Sequence, residues 1–138
     1  MLDIVDPFLL IDKVKWDSSK KKAFGWLDIT EDMWFYKCHF VDEGVMPGVL
    51  QTEVMLQTTV AGICCEYSIR AAECLINSSN VNFFSIIKGP GLIEVISTVR
   101  SNELGLIEAK AELNFKNKKV ALGKFRFVRP FQFKVPVV

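Results

Sequence analysis

The chain has 138 residues, half of them apolar, which is enough for one domain with a substantial core and too few for two. A formal net charge of +1 excludes the strongly basic balance of a protein that lives on nucleic acid, so an acidic partner has to be met by a local patch. The start, residues 1–12, mixes acidic with apolar side chains and has no basic leader. That argues against a signal peptide, and no apolar stretch reaches the roughly 18 to 20 residues a bilayer span needs. A cytoplasmic protein that contacts neither membrane nor nucleic acid is expected.

In chain order, residues 14–16 and 23–29 read as two strands joined by a polar turn over 17–22, a hairpin signature. Residues 30–47 lose periodicity while carrying Trp34, Phe35, Tyr36 and Phe40, which predicts a packed, ordered loop of the kind that positions chemistry. From Gly48 the apolar residues Val49, Leu50, Val54, Met55, Val60, Ile63 and Cys64 return at helical spacing with no further proline. They predict a buried helix reaching about residue 72.

After a polar break at 77–80, the segments 81–87, 92–100, 106–115 and 120–128 have strand character, with turns at 88–91, 101–105 and 116–119. Connections this short make the strands antiparallel. One sheet covered by one apolar helix is an α+β layer, an antiparallel sheet wrapped around one long central helix, in a single domain over 1–138.

Cys38, Cys64, Cys65 and Cys74 contain no CxxC pair, and one histidine cannot complete a zinc set with them, so no metal is expected. Cys64, Cys65 and Cys74 read as packing residues on or beside the helix, and Cys38 as one packed next to the loop. Glu53 stands in an otherwise apolar helical stretch, where it is costly unless paired or protonated.

The segment Phe35-Tyr-Lys-Cys-His-Phe-Val-Asp-Glu-Gly-Val-Met-Pro-Gly-Val-Leu-Gln-Thr-Glu53, followed by Gln57, strongly resembles the active-site segment of the bacterial β-hydroxyacyl-acyl carrier protein dehydratases. His39 matches that family's catalytic histidine, Glu53 its acidic residue fourteen positions on, and Val45-Met-Pro-Gly48 its loop. Residues 7–12 also look like the family's opening. The resemblance implies a hot-dog fold and removal of water from a 3-hydroxyacyl thioester on acyl carrier protein.

Such an elimination needs a base for the C2 proton and an acid for the departing hydroxyl. A neutral imidazole at His39 and a protonated carboxyl at Glu53 supply them. The Gly48 amide at the helix start is the expected oxyanion donor, with no cofactor required. Met46, Pro47, Val49, Gln57 and Phe83 are the expected substrate-binding residues. The resemblance further implies a site at a two-fold dimer interface, with the histidine and the acid coming from different subunits. The expected assembly is a homodimer, alone or in a trimer of dimers, or a heterodimer with a paralogue, the last suggested by the unusual loop at 42–44.

Asp42-Glu43-Gly44 departs from the family loop, Lys37 replaces a common glycine, and Phe84 and Ser85 stand where basic or small polar residues are frequent. Asp28 to Phe40 resembles the subgroup that also isomerises the double bond, whereas a glutamate at 53 resembles the general dehydratase. Two alternatives stay open, a thioester hydrolase or isomerase of the same fold and a non-catalytic acyl-binding subunit. Lys88, Lys118, Lys119, Lys124, Arg126 and Arg129 are candidates for a patch that receives an acidic carrier.

Overall fold

In the computed structural model, which describes residues 2–102 and 105–132, two-residue alternation builds a sheet and helical packing fills it. The hairpin forms as β1 (Lys13–Asp17) and β2 (Lys22–Ile29), and the Asp17 carboxylate accepts the Ser19 and Lys20 amides in its turn. A short helix α1 (Trp34–Cys38) and the long α2 (Gly48–Tyr67) follow. Four strands then complete the fold: β3 (Leu75–Phe83), β4 (Gly91–Ser101), β5 (Ile107–Phe115) and β6 (Lys118–Val128).

The strand order is β1-β2-β4-β5-β6-β3, with every pair antiparallel. Leaving β2, the chain passes through α2, lands at the far edge as β3 and returns to the middle as β4. The helix therefore lies along the inner face, as the expected hot-dog arrangement requires. On that face Ile93, Val95, Ala109, Ala111, Leu113, Ala121 and Phe125 alternate with outward residues and close over Val54, Met55 and Ile63. One polar residue of the helix is matched there too, Thr59 Oγ1 and Ser97 Oγ lying 2.6 Å apart.

Four local expectations are corrected. The helix ends at Tyr67 rather than near 72, because Ser68 takes a left-handed conformation (φ 53°, ψ 45°) that stops it, and a 3₁₀ turn over Ala71–Glu73 follows. The segment read as loop contains α1, fixed by the burial of Phe35 and Tyr36. Residues 77–80, read as a break, lie inside β3. This edge strand is exposed along nearly its whole length, so polar residues suit it and its hydrogen bonds to β6 hold it. The strand read over 81–87 accordingly ends at Phe83. The turn read over 101–105 includes residues 103 and 104, and the single-domain reading includes residues 1 and 133–138, all outside the described residues.

Cys65 and Cys38 are exposed, on helix surfaces turned away from the core, so the packing reading fails for both. It suits Cys74, which is buried, and the half-buried Cys64. Among the described residues no helix is long and apolar enough to cross a membrane.

Close approach of α2 to the hairpin depends on Gly62. A Cβ there would stand 2.8 Å from the Trp16 ring and 2.9 Å from the Ala23 Cβ. Glycine to alanine inside a helix ordinarily gains about 1 kcal/mol. Overpacking of a tight contact costs about 1–3 kcal/mol, so here the sign reverses. Gly62→Ala is expected to lower the free energy of unfolding, read as a lower urea midpoint with an unchanged slope.

Candidate active site

Helix α1 delivers His39. Its Phe35 is fully buried, and Tyr36 donates its hydroxyl to the Gly89 carbonyl at 2.8 Å, which anchors the helix to the β3–β4 connection. The His39 amide closes the helix on Phe35 O at 3.0 Å. Residues 39–45 then fold back on themselves: Val45 N donates to His39 O at 2.7 Å, and Phe40 and Glu43 exchange backbone bonds of 3.0 and 3.3 Å.

Within this loop the His39 Nδ1 lies 3.0 Å from the Val45 carbonyl oxygen. A carbonyl can only accept, so Nδ1 carries the hydrogen and the lone pair of the neutral ring sits on Nε2. Phe40 stacks on the imidazole with centroids 4.2 Å apart. The half-buried ring thus has a fixed tautomer and a basic nitrogen facing away from its own loop.

Met46 is buried, and its amide bonds to the Ile87 carbonyl at 3.0 Å. Pro47 caps α2, and its carbonyl accepts Leu50 and Gln51 amides at 3.0 and 3.1 Å. The Gly48 and Val49 N–H groups precede any intrahelical acceptor and point out of the positive end of a 20-residue helix. Gly48 also meets Phe83: a Cβ there would stand 3.0 Å from the ring, so glycine lets the aromatic lie against the helix start.

Sequence reasoning missed Gln51. Its Nε2 donates to Met46 O at 3.2 Å, while its Oε1 is buried with no hydrogen-bond partner among the described residues. Its only signal was one more polar residue among apolar ones.

Glu53 is half-buried, one turn beyond Val49 and one before Gln57, so the three share a stripe of the helix. Gln57 is buried and fully engaged. Its Nε2 donates to Phe8 O at 2.8 Å and to Glu53 Oε1 at 3.0 Å, while its Oε1 accepts the Leu10 amide at 2.9 Å. It thereby ties the N-terminal segment to α2 and orients the carboxyl. Burial pushes the Glu53 pKa up, and the Gln57 donor partly opposes this.

Beside Glu53 opens a cavity of about 320 Å³ with mainly apolar walls, including Ile4, Leu56, Val60, Ile76 and Phe127. Cys74 also lines it, its thiol pushed up to about 12 by burial first and by Cys64 second, which makes it a poor nucleophile. Among the described residues no group of three or more His, Cys, Asp or Glu is placed to hold a metal.

Within one protomer the residues named from sequence fall into two sets. His39, Met46, Pro47, Gly48 and Phe83 gather around the start of α2, whereas Glu53 and Gln57 belong to the cavity, whose lining does not include His39. Five residues of helix turn Glu53 about 140° away from Gly48. Val49, on the Glu53 stripe, is 77 % exposed.

The profile of the FabA-like domain matches residues 4–124. A 3-hydroxyacyl-[acyl-carrier-protein] dehydratase FabZ of Clostridium kluyveri is 28 % identical over 127 residues, 88 % of this chain and 85 % of that one. The corresponding enzyme of Clostridium novyi is 47 % identical over 51 residues, 37 % of this chain and 36 % of its own. Among solved structures, an HP0420-homologue from Helicobacter felis superposes with a TM-score of 0.71 at 19 % identity, covering 96 % of this chain and 86 % of its own. With the family profile spanning nearly all of the chain, this protein belongs to the FabA-like domain family.

Proposed function

We propose that this protein removes water from 3-hydroxyacyl thioesters carried on acyl carrier protein, giving the trans-2-enoyl thioester. The observation that carries the reading is the fixed tautomer of His39, whose Nδ1 is committed to Val45 O, leaving Nε2 as a base. Nε2 takes the C2 proton. Charge moves onto the thioester oxygen, which the Gly48 N–H stabilises, and the C3–O bond breaks as Glu53 gives its proton to the departing hydroxyl. A raised Glu53 pKa suits that role, since the acid must arrive protonated. No cofactor enters these steps.

Because His39 and Glu53 belong to separate sets in one protomer, the reaction centre is shared between two copies. The β3 edge, free of any strand beyond it among the described residues, supports this, as do exposed Val49, Phe83 (48 %), Phe84 (58 %) and Ile86 (60 %). The second copy brings its own Glu53 and cavity to His39, and the apolar walls receive the acyl chain.

Incubation with a 3-hydroxyacyl thioester of acyl carrier protein is expected to give rising absorbance of the conjugated enoyl product without free thiol. His39→Ala and Glu53→Gln are each expected to lower kcat/KM by about 10²–10⁴-fold. Thiol release would instead identify a hydrolase, and unchanged turnover in both variants refutes the assigned roles.

The Glu53 proton also enters stability. Folding raises this pKa above its ordinary value of 4.5, so the folded chain holds the proton more tightly than the unfolded one. The favourable contribution is complete below 4.5 and is lost as pH rises through the raised value. The unfolding free energy of Glu53→Gln relative to the parent is therefore expected to increase between pH 4.5 and neutrality. A flat difference across that window contradicts the buried-acid assignment.

A further inference from the structure

The sheet's outer face holds a second groove, of about 690 Å³, formed by β3, β4, β5 and β6. It shares no lining residue with the Glu53 cavity and lies on the other side of the sheet, where exposed side chains alternate with the core. Register sets two rows of side chains across it. Arg100, Glu108, Arg126 and Ser78 form one, and Thr98, Lys110, Lys124 and Asn80 the other.

The first row is only partly neutralised from within, with two guanidinium groups against one carboxylate. Arg100 reaches Glu108 at 3.0 Å and Arg126 reaches it at 3.8 Å, with an Asn102 amide at 3.4 Å, so this carboxylate is already shared by two guanidinium groups. The second row is not neutralised. Lys110 and Lys124 face each other directly, a like-charge pairing that destabilises a sheet, and no carboxylate of the described residues lies within ion-pair reach of either. The next carboxylate along β5, Glu112, is engaged by Lys119 at 3.2 Å. A chain with a net charge of +1 thus sets four cations against one carboxylate in this groove among the described residues.

We propose that this groove binds a small phosphoanion with two or more negative charges, of the pyrophosphate or nucleotide diphosphate class. One phosphoryl group bridges Lys110 and Lys124. The Thr98 hydroxyl and the Asn80 amide flank the pair with neutral donors, and Arg100 and Arg126 extend the field toward a second phosphoryl group. Cations in two adjacent rows favour an anion with two charged groups over a single phosphate.

Calorimetric titration of the full chain at low ionic strength, with sodium pyrophosphate and with ADP as probes, tests this. Saturable binding of either probe is expected. The double variant Lys110→Gln/Lys124→Gln should weaken it at least about tenfold, since charge-assisted hydrogen bonds are lost. Lys15→Gln, which removes the same kind of charge from β1 outside the groove, should leave it unchanged. Tighter ADP than pyrophosphate makes the occupant a nucleotide, and the reverse makes it a bare diphosphate. Absence of saturable binding by both probes, or equal affinity in the double variant, overturns the proposal.

Discussion

Helix α2 must fill a sheet and still carry polar chemistry. Gln51, Gln57, Thr58 and Thr59 are all buried on it, and Glu53 is half-buried. Each such group costs about 1–3 kcal/mol if left without a partner, so the packing of this helix is governed by where its hydrogen bonds go. The threonines bond back to Val54 and Met55 carbonyls at 3.0 and 2.8 Å. Gln57 solves the larger problem with one side chain, satisfying Phe8 O and Leu10 N and holding Glu53 at the same time. The N-terminal segment that covers the core with Leu10 and Ile11 is therefore attached through the same amide that aims the carboxyl. Cover, cavity and acid are one mechanical unit.

Topology is the reason the proposed reaction centre calls for two copies. Because the crossover deposits β3 at the edge beyond β6, the start of α2, Phe83 and the His39 loop come together near the open side of an edge strand, while Glu53 sits about 140° round the helix under the N-terminal segment. An exposed nine-residue edge with apolar side chains beside it is a liability for an isolated chain. The proposed pairing of two copies removes the liability and joins the halves at once.

Much of the fold was legible because both periods are strong. Strands β2, β4, β5 and β6 and the start of α2 emerge within a residue or two of their sequence reading, since one face of each is buried. Where burial does not decide, the reading slipped. Strand β3 contains Asn77-Ser-Ser-Asn80, which looks like a break because an edge strand exposed on both faces has no alternation to display. The stop at Ser68 rests on a left-handed conformation that serine does not advertise. For the site, His39, Gly48 and Glu53 stood out through a motif. A histidine and an acid from different subunits were already implied by the family resemblance, whereas Gln51 and the Lys110–Lys124 confrontation needed packing and register, which no local pattern carries.

The departure at Asp42-Glu43-Gly44 need not disturb His39. Glu43 pairs with Lys88 across to the β3–β4 connection, but both side chains are exposed, and such pairs are worth about 0–1 kcal/mol. Backbone bonds do most of the holding: Met46 N to Ile87 O, Val45 N to His39 O, and the Phe40–Glu43 exchange, with the Tyr36 hydroxyl on Gly89 O. None of these requires a particular side chain at 42 or 43. The strict demand falls on Gly44, where a Cβ would stand 2.8 Å from the Tyr36 carbonyl oxygen, part of a buried backbone that cannot yield. A loop that fixes one glycine and makes no structural demand on the identity of residues 42 and 43 can change charge near the proposed reaction centre while keeping the imidazole in place.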